Sequence, residues 1–359
     1  MSLRSIILCV LLTALPFARV SFAQDESQAR DRSADASGKR LVTPETQQAI
    51  TGGLAWLAER QHEDGSFWSG PQYRREVAVT ALAGMAFLSD GHLPNKGRYG
   101  RQVSQAIEFL LSRSQPNGLI YDRESASYGP MYGHGFSTLF LAEVYGTTPD
   151  ERIRSALASA VQLIIASQNE EGGWRYQPDS VEADISVTVC QVMALRAARN
   201  CGIAVPKETI DRAVDYVERC QNADGGFMYQ LTRRGESAFP RSAAGVVALQ
   251  SAGVYEGRVI EKGLAFLMRH LPRRGVFHYQ SNYYYGHYYA VQAMWQAGGG
   301  DWERWYAAIR DEVLEQKRPD ENSDQSVYWP DVTVCDEYGT AMALLILQMP
   351  NNYLPIFQR

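Results

Sequence analysis

Hydrophobic positions along this chain fall into two kinds of helix-length segment that alternate. One kind is amphipathic, with apolar residues at helical spacing and charges between them, as in residues 210–219. The other kind is almost uniformly apolar, as in residues 187–198 and 340–347. A helix with a charged face lies at a surface, whereas a helix that is apolar all round is buried. The pattern therefore predicts outer helices that alternate with inner ones.

Six such pairs follow one another between residues 43 and 350. The predicted outer and inner helices are 45–60 with 76–88, 103–114 with 135–144, 151–167 with 185–200, 208–220 with 242–251, 259–270 with 288–296, and 302–316 with 337–348. Six hairpins can close into an all-α (α/α)6 toroid in which six inner helices are surrounded by six outer ones. An open helical solenoid is the alternative, but it needs polar terminal repeats that this chain lacks.

A turn containing glycine recurs between the outer and the inner helix. The glycines Gly65, Gly118, Gly172, Gly225 and Gly275 follow at intervals of 50 to 54 residues. Four of these turns have Gln or Leu four residues before the glycine and an aromatic residue two after it: Gln61 and Phe67, Gln168 and Trp174, Gln221 and Phe227, Leu271 and Phe277. Glutamine can bond free carbonyls at a helix end, and glycine permits a positive φ. A fixed period of this size indicates a repeat architecture.

This turn resembles the QW-type repeat of squalene and oxidosqualene cyclases and of protein prenyltransferase β subunits. Residues 131–145 are also similar to uncharacterised secreted bacterial members of that repeat family. The resemblance covers about residues 43–350. It implies a closed toroid with a central cavity for a hydrophobic or isoprenoid-like ligand.

The resemblance also implies where chemistry would lie. Squalene-type cyclases carry a DxDD motif at the head of an inner helix, and Glu182 and Asp184 keep two of its acids at the matching place. Ile185 replaces the last acid, so Asp184 matches the proton donor but lacks its acidic neighbour. The zinc ligands of prenyltransferases would fall in residues 331–340, where Gly339 stands near the expected histidine. We therefore predict no metal and no cofactor.

Aligning the inner helices adds further catalytic candidates. Glu76, Asp184 and Asp336 begin equivalent helices, each four residues before a threonine, and His134 lies at nearly the same level. In a closed ring these four residues would line one arc of the rim and supply an acid, a base and a polar anchor. Acids at a helix N-terminus also cap the helix and complement its dipole, so capping alone is the alternative for each.

Aromatic and basic residues near the same rim are candidates for substrate binding. They are Tyr285, His287, Tyr288, Trp329, Tyr338 and Arg241. Aromatic faces can stabilise the carbocation of an isoprenoid, stack on sugar rings, or simply pack. Arg241 can hold a diphosphate or a carboxylate, or it can be a solvated loop charge. His287 is expected about 20 Å across the ring from His134, which argues against a metal shared between them.

Composition and the chain ends suggest a compartment. A chain with 45% hydrophobic and 21% charged residues is globular, and a net charge of −5 disfavours nucleic-acid binding. Residues 1–23 have the pattern of a secretory signal, with Arg4 before an apolar stretch and Ala23 at the cleavage site. Residues 24–42 read as a disordered spacer and 351–359 as a tail. These features predict a secreted or periplasmic protein without a transmembrane helix after signal cleavage.

Four cysteines remain after the predicted signal. Cys190 and Cys220 should lie on neighbouring helices, so they are the favoured disulfide pair, with buried free thiols as the alternative; Cys201 and Cys335 have no assigned partner.

Three functions are compatible with this sequence. The first is an exported relative of cyclases and prenyltransferases that binds a hydrophobic ligand, with Asp184 as the central residue of any catalysis. The second is a glycan hydrolase or lyase, which needs two carboxylates about 5–10 Å apart in an open cleft. The third is a non-enzymatic protein-interaction ring, which a centre filled by its own side chains would favour.

Overall fold

The computed structural model of the chain describes residues 41–125, 127, 129–273 and 282–358. The predicted signal and nearly all of the predicted spacer lie outside these residues. The helices are α1 (Pro44–Arg60), α2 (Val77–Leu88), α3 (Gly100–Ser112), α4 (Pro130–Thr147), α5 (Glu151–Ala166), α6 (Ile185–Asn200), α7 (Lys207–Arg219), α8 (Phe239–Ser251), α9 (Arg258–Met268), α10 (Tyr283–Ala297), α11 (Gly299–Gln316) and α12 (Asp336–Leu347).

The even-numbered helices form a closed inner ring. Each packs against the inner helix of the next repeat, and α12 packs back against α2. The odd-numbered helices surround them, and the buried side chains join into one continuous core. The six-hairpin toroid predicted from the hydrophobic pattern is confirmed. No helix in the described part of the chain combines the length and the apolar character needed to cross a bilayer.

Three inner helices begin several residues earlier than predicted. Helix α4 begins at Pro130, whereas the sequence predicted that it starts at residue 135. Its glycines lower helix propensity, but they allow its neighbours to approach closely. A Cβ on Gly133 would lie 2.5 Å from Val77 of α2, and one on Gly135 would lie 2.9 Å from Cys190 of α6. Packing on both sides therefore decides the helical state of this segment.

A β-hairpin that the sequence did not predict joins the last repeat to the first. Strands β1 (Arg318–Asp320) and β2 (Ser323–Tyr328) are antiparallel. Strand β2 lies on α1, where Tyr328 stacks on Trp56 with ring centroids 5.1 Å apart. A Cβ on Gly52 would lie 2.7 Å from the Gln325 carbonyl oxygen, so glycine makes room for the strand. The strand has no clear hydrophobic alternation, which is why the pattern indicated a loop.

In three of the turns a glutamine ties one repeat to the next. Its amide donates both to the turn glycine and to a carbonyl in the first turn of the next outer helix. The bonds are Gln61 to Gly65 (3.0 Å) and Gln102 (2.9 Å), Gln168 to Gly172 (2.8 Å) and Thr209 (2.9 Å), and Gln221 to Gly225 (3.1 Å) and Val259 (2.8 Å). The glutamine was predicted to bond free carbonyls at the end of its own outer helix, but the acceptors are the turn glycine and the first turn of the next outer helix.

The C-terminal segment covers one end of the ring. Leu354, Ile356 and Phe357 are buried beneath the C-terminal ends of the inner helices. The Trp295 indole donates to the Phe357 carbonyl over 3.0 Å, and Arg196 bonds the Gln358 carbonyl. The other end of the ring, where the inner helices begin, therefore holds the opening.

All four described cysteines are free, so the predicted Cys190–Cys220 disulfide is wrong. Cys190 lies on α6 and its sulfur is 3.3 Å from the Tyr289 hydroxyl of α10. Cys220 ends the outer helix α7. The two residues lie on neighbouring helices as predicted, but Cys190 faces across the ring and away from α7.

Candidate functional site

One half-buried residue in the first turns of each inner helix outlines the opening of the ring. These six residues, which we call the collar, are Ala78, Tyr132, Ser186, Pro240, Tyr285 and Tyr338. The first four follow one another at 54-residue intervals. One helical turn further along, the corresponding side chains are all buried, and we call them the floor: Leu82, Phe136, Cys190, Ala244, Tyr289 and Met342. On these faces the side chains thus pass from half-buried at the collar to buried one helical turn further in, and we call the opening above the floor the collar crevice.

Three phenol rings converge at the collar from three repeats. Burial raises the pKa of Tyr132 well above its ordinary value, and Tyr285 adds to the rise. Burial likewise raises the pKa of Tyr285, with a further contribution from Tyr338. The Tyr285 hydroxyl donates to the Ser186 carbonyl across the opening, over 3.1 Å. The collar therefore presents neutral aromatic faces whose hydroxyls donate hydrogen bonds.

The floor is closed by contacts that cross the ring axis. Phe136 of α4 meets Tyr288 of α10 edge to face, with ring centroids 6.3 Å apart. These helices belong to the second and fifth repeats, on opposite sides of the ring. Tyr288 is fully buried, so this predicted binding residue lies at the level of the floor, next to Tyr289, and not at the collar. The predicted central cavity is therefore filled at this level.

Asp184 lies at the head of α6, beside the collar. Its Oδ1 accepts a hydrogen bond from the Val187 amide over 2.9 Å, which caps the helix. Its Oδ2 is buried and has no hydrogen-bond partner in the described part of the chain, and the Arg175 guanidinium is 4.0 Å away. Burial raises the pKa of Asp184 to about 6, against the opposing effects of the Val187 amide, the nearby Tyr229 hydroxyl and Arg175. This carboxyl can change its protonation state close to neutral pH.

Arg175 stands between the two acids of the predicted motif. It forms an ion pair with Glu182, and Glu182 also accepts a hydrogen bond from the Thr232 hydroxyl over 3.3 Å. The guanidinium lies 5.4 Å from the ring centroid of Tyr176. The two-acid spacing is therefore retained, but Glu182 is paired with a cation and does not acidify Asp184.

Two tyrosines that the sequence reasoning missed complete the surroundings of Asp184. The hydroxyls of Tyr176 and Tyr229 are 2.6 Å apart, and the Tyr176 ring lies 6.0 Å from that of Tyr132. Each of the two follows the turn aromatic, Trp174 or Phe227, by two residues. That repeated position was the available signal, and it places a phenol over the collar in consecutive repeats.

Comparison with known proteins agrees with this geometry. Residues 36–275 match the prenyltransferase alpha-alpha toroid domain. The chain belongs to this family.

Three similar proteins illustrate the range of this toroid. A drimenyl diphosphate synthase of Streptomyces showdoensis is 25% identical over 193 residues, which are 53% of this chain and 34% of that protein. The matched part of this chain thus spans about a third of the length of this curated relative. A type II terpene cyclase from Scytonema, in complex with its substrate geranylgeranyl dihydroxybenzoate, has a TM-score of 0.59 at 17% identity, covering 87% of this chain and 99% of that one. An inactive α-1,6-mannanase variant of Salegentibacter, bound to α-1,6-mannotriose, has a TM-score of 0.61 at 8% identity, covering 85% and 99%.

His134 of this toroid has a structural role and lies outside the collar. It is fully buried, its Nδ1 accepts from the Ile120 amide over 3.2 Å, and its Nε2 lies 3.2 Å from the Ala160 carbonyl oxygen. Hydroxyls accept from the turn amide at the same position of other repeats: Thr80, Thr188, Ser242 and Thr340. His134 therefore accepts, in the second repeat, the turn hydrogen bond that these hydroxyls accept in their own repeats.

His134→Thr should remove a pH dependence of stability. Burial lowers the folded-state pKa of His134 to about 4, below the ordinary value of 6.5. Because the unfolded chain binds the proton first, this histidine costs stability as pH falls from 6.5 towards 4, by up to about 3 kcal/mol. Urea unfolding at pH 7 and pH 5 would show a smaller loss for the threonine variant than for the wild type. An equal loss would assign the acid sensitivity to other groups.

The other predicted acids of the toroid are engaged by loops. Glu76 caps α2 through the Ala78 amide (3.4 Å) and accepts a hydrogen bond from the Ser125 hydroxyl of the second repeat. Burial raises its pKa. Asp336 accepts from the Asp331 amide over 3.1 Å and is half-buried. These acids do not form an open arc with Asp184, because each is already bonded to a loop.

Two predicted binding residues, Trp329 and Arg241, have structural roles. Trp329 is fully buried, and its indole donates to the Val313 carbonyl over 2.7 Å, as Trp174 does to Ile164. Trp329 is therefore the aromatic residue of the sixth turn. Arg241 donates to the Phe227 carbonyl over 3.1 Å and also to Glu236, so its guanidinium supports a loop.

His287 lies among aromatic rings behind the floor. Its ring centroid is 4.5 Å from that of Tyr283 and 4.8 Å from that of Phe239. Burial lowers its pKa to about 3, so the imidazole is neutral. Among the described residues, no three histidine, cysteine or acidic side chains are grouped so that they could hold a metal ion.

Proposed function

We propose that this toroid binds the end of an isoprenoid-like hydrophobic chain in the collar crevice, and that Asp184 exchanges a proton with a group held at collar height. The observation that carries the proposal is the meeting of apolar phenol faces with a buried carboxyl. Asp184 is close enough to contribute to the raised pKa values of both Tyr132 and Tyr285. Among the described residues, its Oδ2 has no hydrogen-bond partner.

The character of the acid decides which proton transfer is favoured. Protonating an alkene requires an unusually strong acid, whereas burial weakens Asp184 to a pKa of about 6. Ile185 supplies no second acid, and the Arg175 cation favours the ionised form of Asp184. We therefore favour acid–base exchange with an oxygen or nitrogen atom of the ligand over cyclisation of a polyene.

Similar proteins support a hydrophobic ligand. The terpene cyclase from Scytonema carries geranylgeranyl dihydroxybenzoate, which joins a prenyl chain to a polar head. A ligand of this kind suits a site with aromatic faces below and hydroxyls at the rim. The prenyl chain would then contact the aromatic rings of the collar, and the polar head would bond the hydroxyls.

Two substitutions at Tyr285 test the ligand site. Tyr285→Ala removes an aromatic face from the collar and should weaken farnesol binding by about tenfold or more. Tyr285→Phe keeps the face and loses only the bond to Ser186, so it should bind within about threefold of wild type. Isothermal titration calorimetry on the folded chain measures both. Equal affinity of the alanine variant and the wild type would exclude the collar as the binding site.

A glycan is the second candidate, and the hydroxyl chemistry favours it. Tyr176 and Tyr229 pair their hydroxyls beside two carboxylates, Glu182 and Asp184. The mannanase that shares this fold binds a mannotriose. Hydrolysis needs two carboxyls with free access to the substrate, and Arg175 occupies the space between these two. Titration with mannotriose in parallel with farnesol discriminates the two ligand classes. Binding of neither would favour an interaction ring.

A further inference from the structure

We propose that the ring encloses only the terminal group of its ligand, and that Phe136 and Tyr288 set this limit. The inference rests on the proposed hydrophobic-ligand function and adds to it the depth of the site. It makes these two buried side chains determinants of specificity, although Phe136 was not among the predicted binding residues.

The depth follows from the spacing of the two layers. Tyr132 of the collar and Phe136 of the floor are four residues apart on one face of α4. The same spacing separates Tyr285 from Tyr289 on α10. Four residues rise about 6 Å along a helix, which is close to the length of one isoprene unit. The collar residues are half-buried, whereas Phe136 is 4% exposed and Tyr289 is 0% exposed.

The cross-axis contact makes the floor continuous. Helix α4 has α2 and α6 as its neighbours in the inner ring, so the ring contact between Phe136 and Tyr288 of α10 spans the centre. Tyr289 packs against Tyr288 at 4.9 Å and reaches Cys190 of α6. Side chains from three repeats therefore meet where a threaded chain would have to pass.

The closed floor determines which part of the ligand lies inside the ring. A chain that enters end-on buries one terminal prenyl-sized group and leaves the remainder outside the collar. A ligand whose oxygen or nitrogen atom exchanges a proton with Asp184 must then carry that atom about one isoprene unit from the buried end. Affinity is therefore insensitive to the total length of the chain, because every member of a series buries the same group.

A length series tests this limit. The probes are geraniol, farnesol and geranylgeraniol, titrated calorimetrically into wild type, Phe136→Ala and Phe136→Leu. Wild type should bind all three alcohols with affinities within about threefold. Opening the floor admits a second unit, so the Phe136 variants should bind the longer alcohols about tenfold more tightly than geraniol. The leucine variant removes less packing and covers the case in which the alanine variant does not fold.

A matched control separates the floor from general loosening of the core. Phe109→Ala removes the same side-chain volume from the outer helix α3, away from the axis, and its length profile should remain flat.

The outcomes distinguish this inference from the proposed function. Wild-type affinity that rises steadily with chain length would overturn the depth limit while leaving ligand binding intact. Phe136 variants that stay flat while folded would overturn the role of the floor. If none of the three alcohols binds wild type or either variant, the proposed function fails together with the inference.

Discussion

Gly172→Ala is expected to cost the toroid about 3–5 kcal/mol of its free energy of unfolding. Gly172 has a φ of +97°, in the left-handed region that an alanine adopts only with strain. An added Cβ would also lie 2.4 Å from the backbone carbonyl oxygen of Arg212, in the next outer helix. That oxygen cannot withdraw without moving α7 as a whole. The turn glycine is therefore required both for its own conformation and for the approach of the neighbouring repeat.

Gly202→Ala is the matched control for this prediction. Gly202 has a φ of +90°, but no atom of the described residues lies within 4 Å of the position its Cβ would take. This variant should lose only the conformational cost, about 1 kcal/mol. Urea unfolding followed by circular dichroism gives both values under one set of conditions. Equal losses for the two variants would show that the contact with Arg212 relaxes freely.

Asp184→Asn is expected to abolish proton exchange with the ligand while the fold persists. Asparagine caps a helix about as well as aspartate, so the bond to the Val187 amide has a replacement. The amide cannot donate or accept the exchanged proton, and loss of a general acid or base typically lowers kcat by 10²–10⁴-fold. Turnover of the ligand found by titration should therefore fall by about a thousandfold, with its affinity changed only a few-fold.

Stability provides a second readout for Asp184. Burial raises its folded-state pKa from the ordinary 3.8 to about 6. The native state therefore keeps this proton to a higher pH than the unfolded chain does. The resulting contribution to the free energy of unfolding is lost as pH rises from about 4 through 6. Asp184→Asn should flatten that decline. Asp150→Asn is the control, because Asp150 caps the outer helix α5 through the Arg152 amide over 2.8 Å, far from the collar. Unchanged turnover in Asp184→Asn would leave Asp184 with a capping role only.

The sequence predicted most of the fold because each repeat carries its own signals. Apolar pattern, turn glycine and glutamine are local features, and they identified all six hairpins. The β-hairpin was missed because its second strand, residues 323–328, is mostly polar and is stabilised by packing on α1. Contacts between distant segments leave no such periodic trace.

The candidate site was predicted only in part for the same reason. Asp184, Tyr285 and Tyr338 were found from helix starts and aromatic content, and they lie at or beside the collar. His134 was aligned with the acids, yet it lies 54 residues after Thr80 and 54 before Thr188, the residues whose role it shares. The floor could not be predicted, because Phe136 and Tyr288 meet only when the ring closes.

Ring closure also changes how this chain can come apart. An open array of repeats frays from its two ends, where the terminal units have a single neighbour. Here the β-hairpin and α12 give the first repeat a second neighbour, so no unit is terminal. Releasing any hairpin breaks two interfaces at once and leaves an open arc whose new ends are poorly protected. The first step of unfolding therefore needs more free energy than the steps that follow it. Under this condition the chain unfolds in one sharp transition and does not melt stepwise.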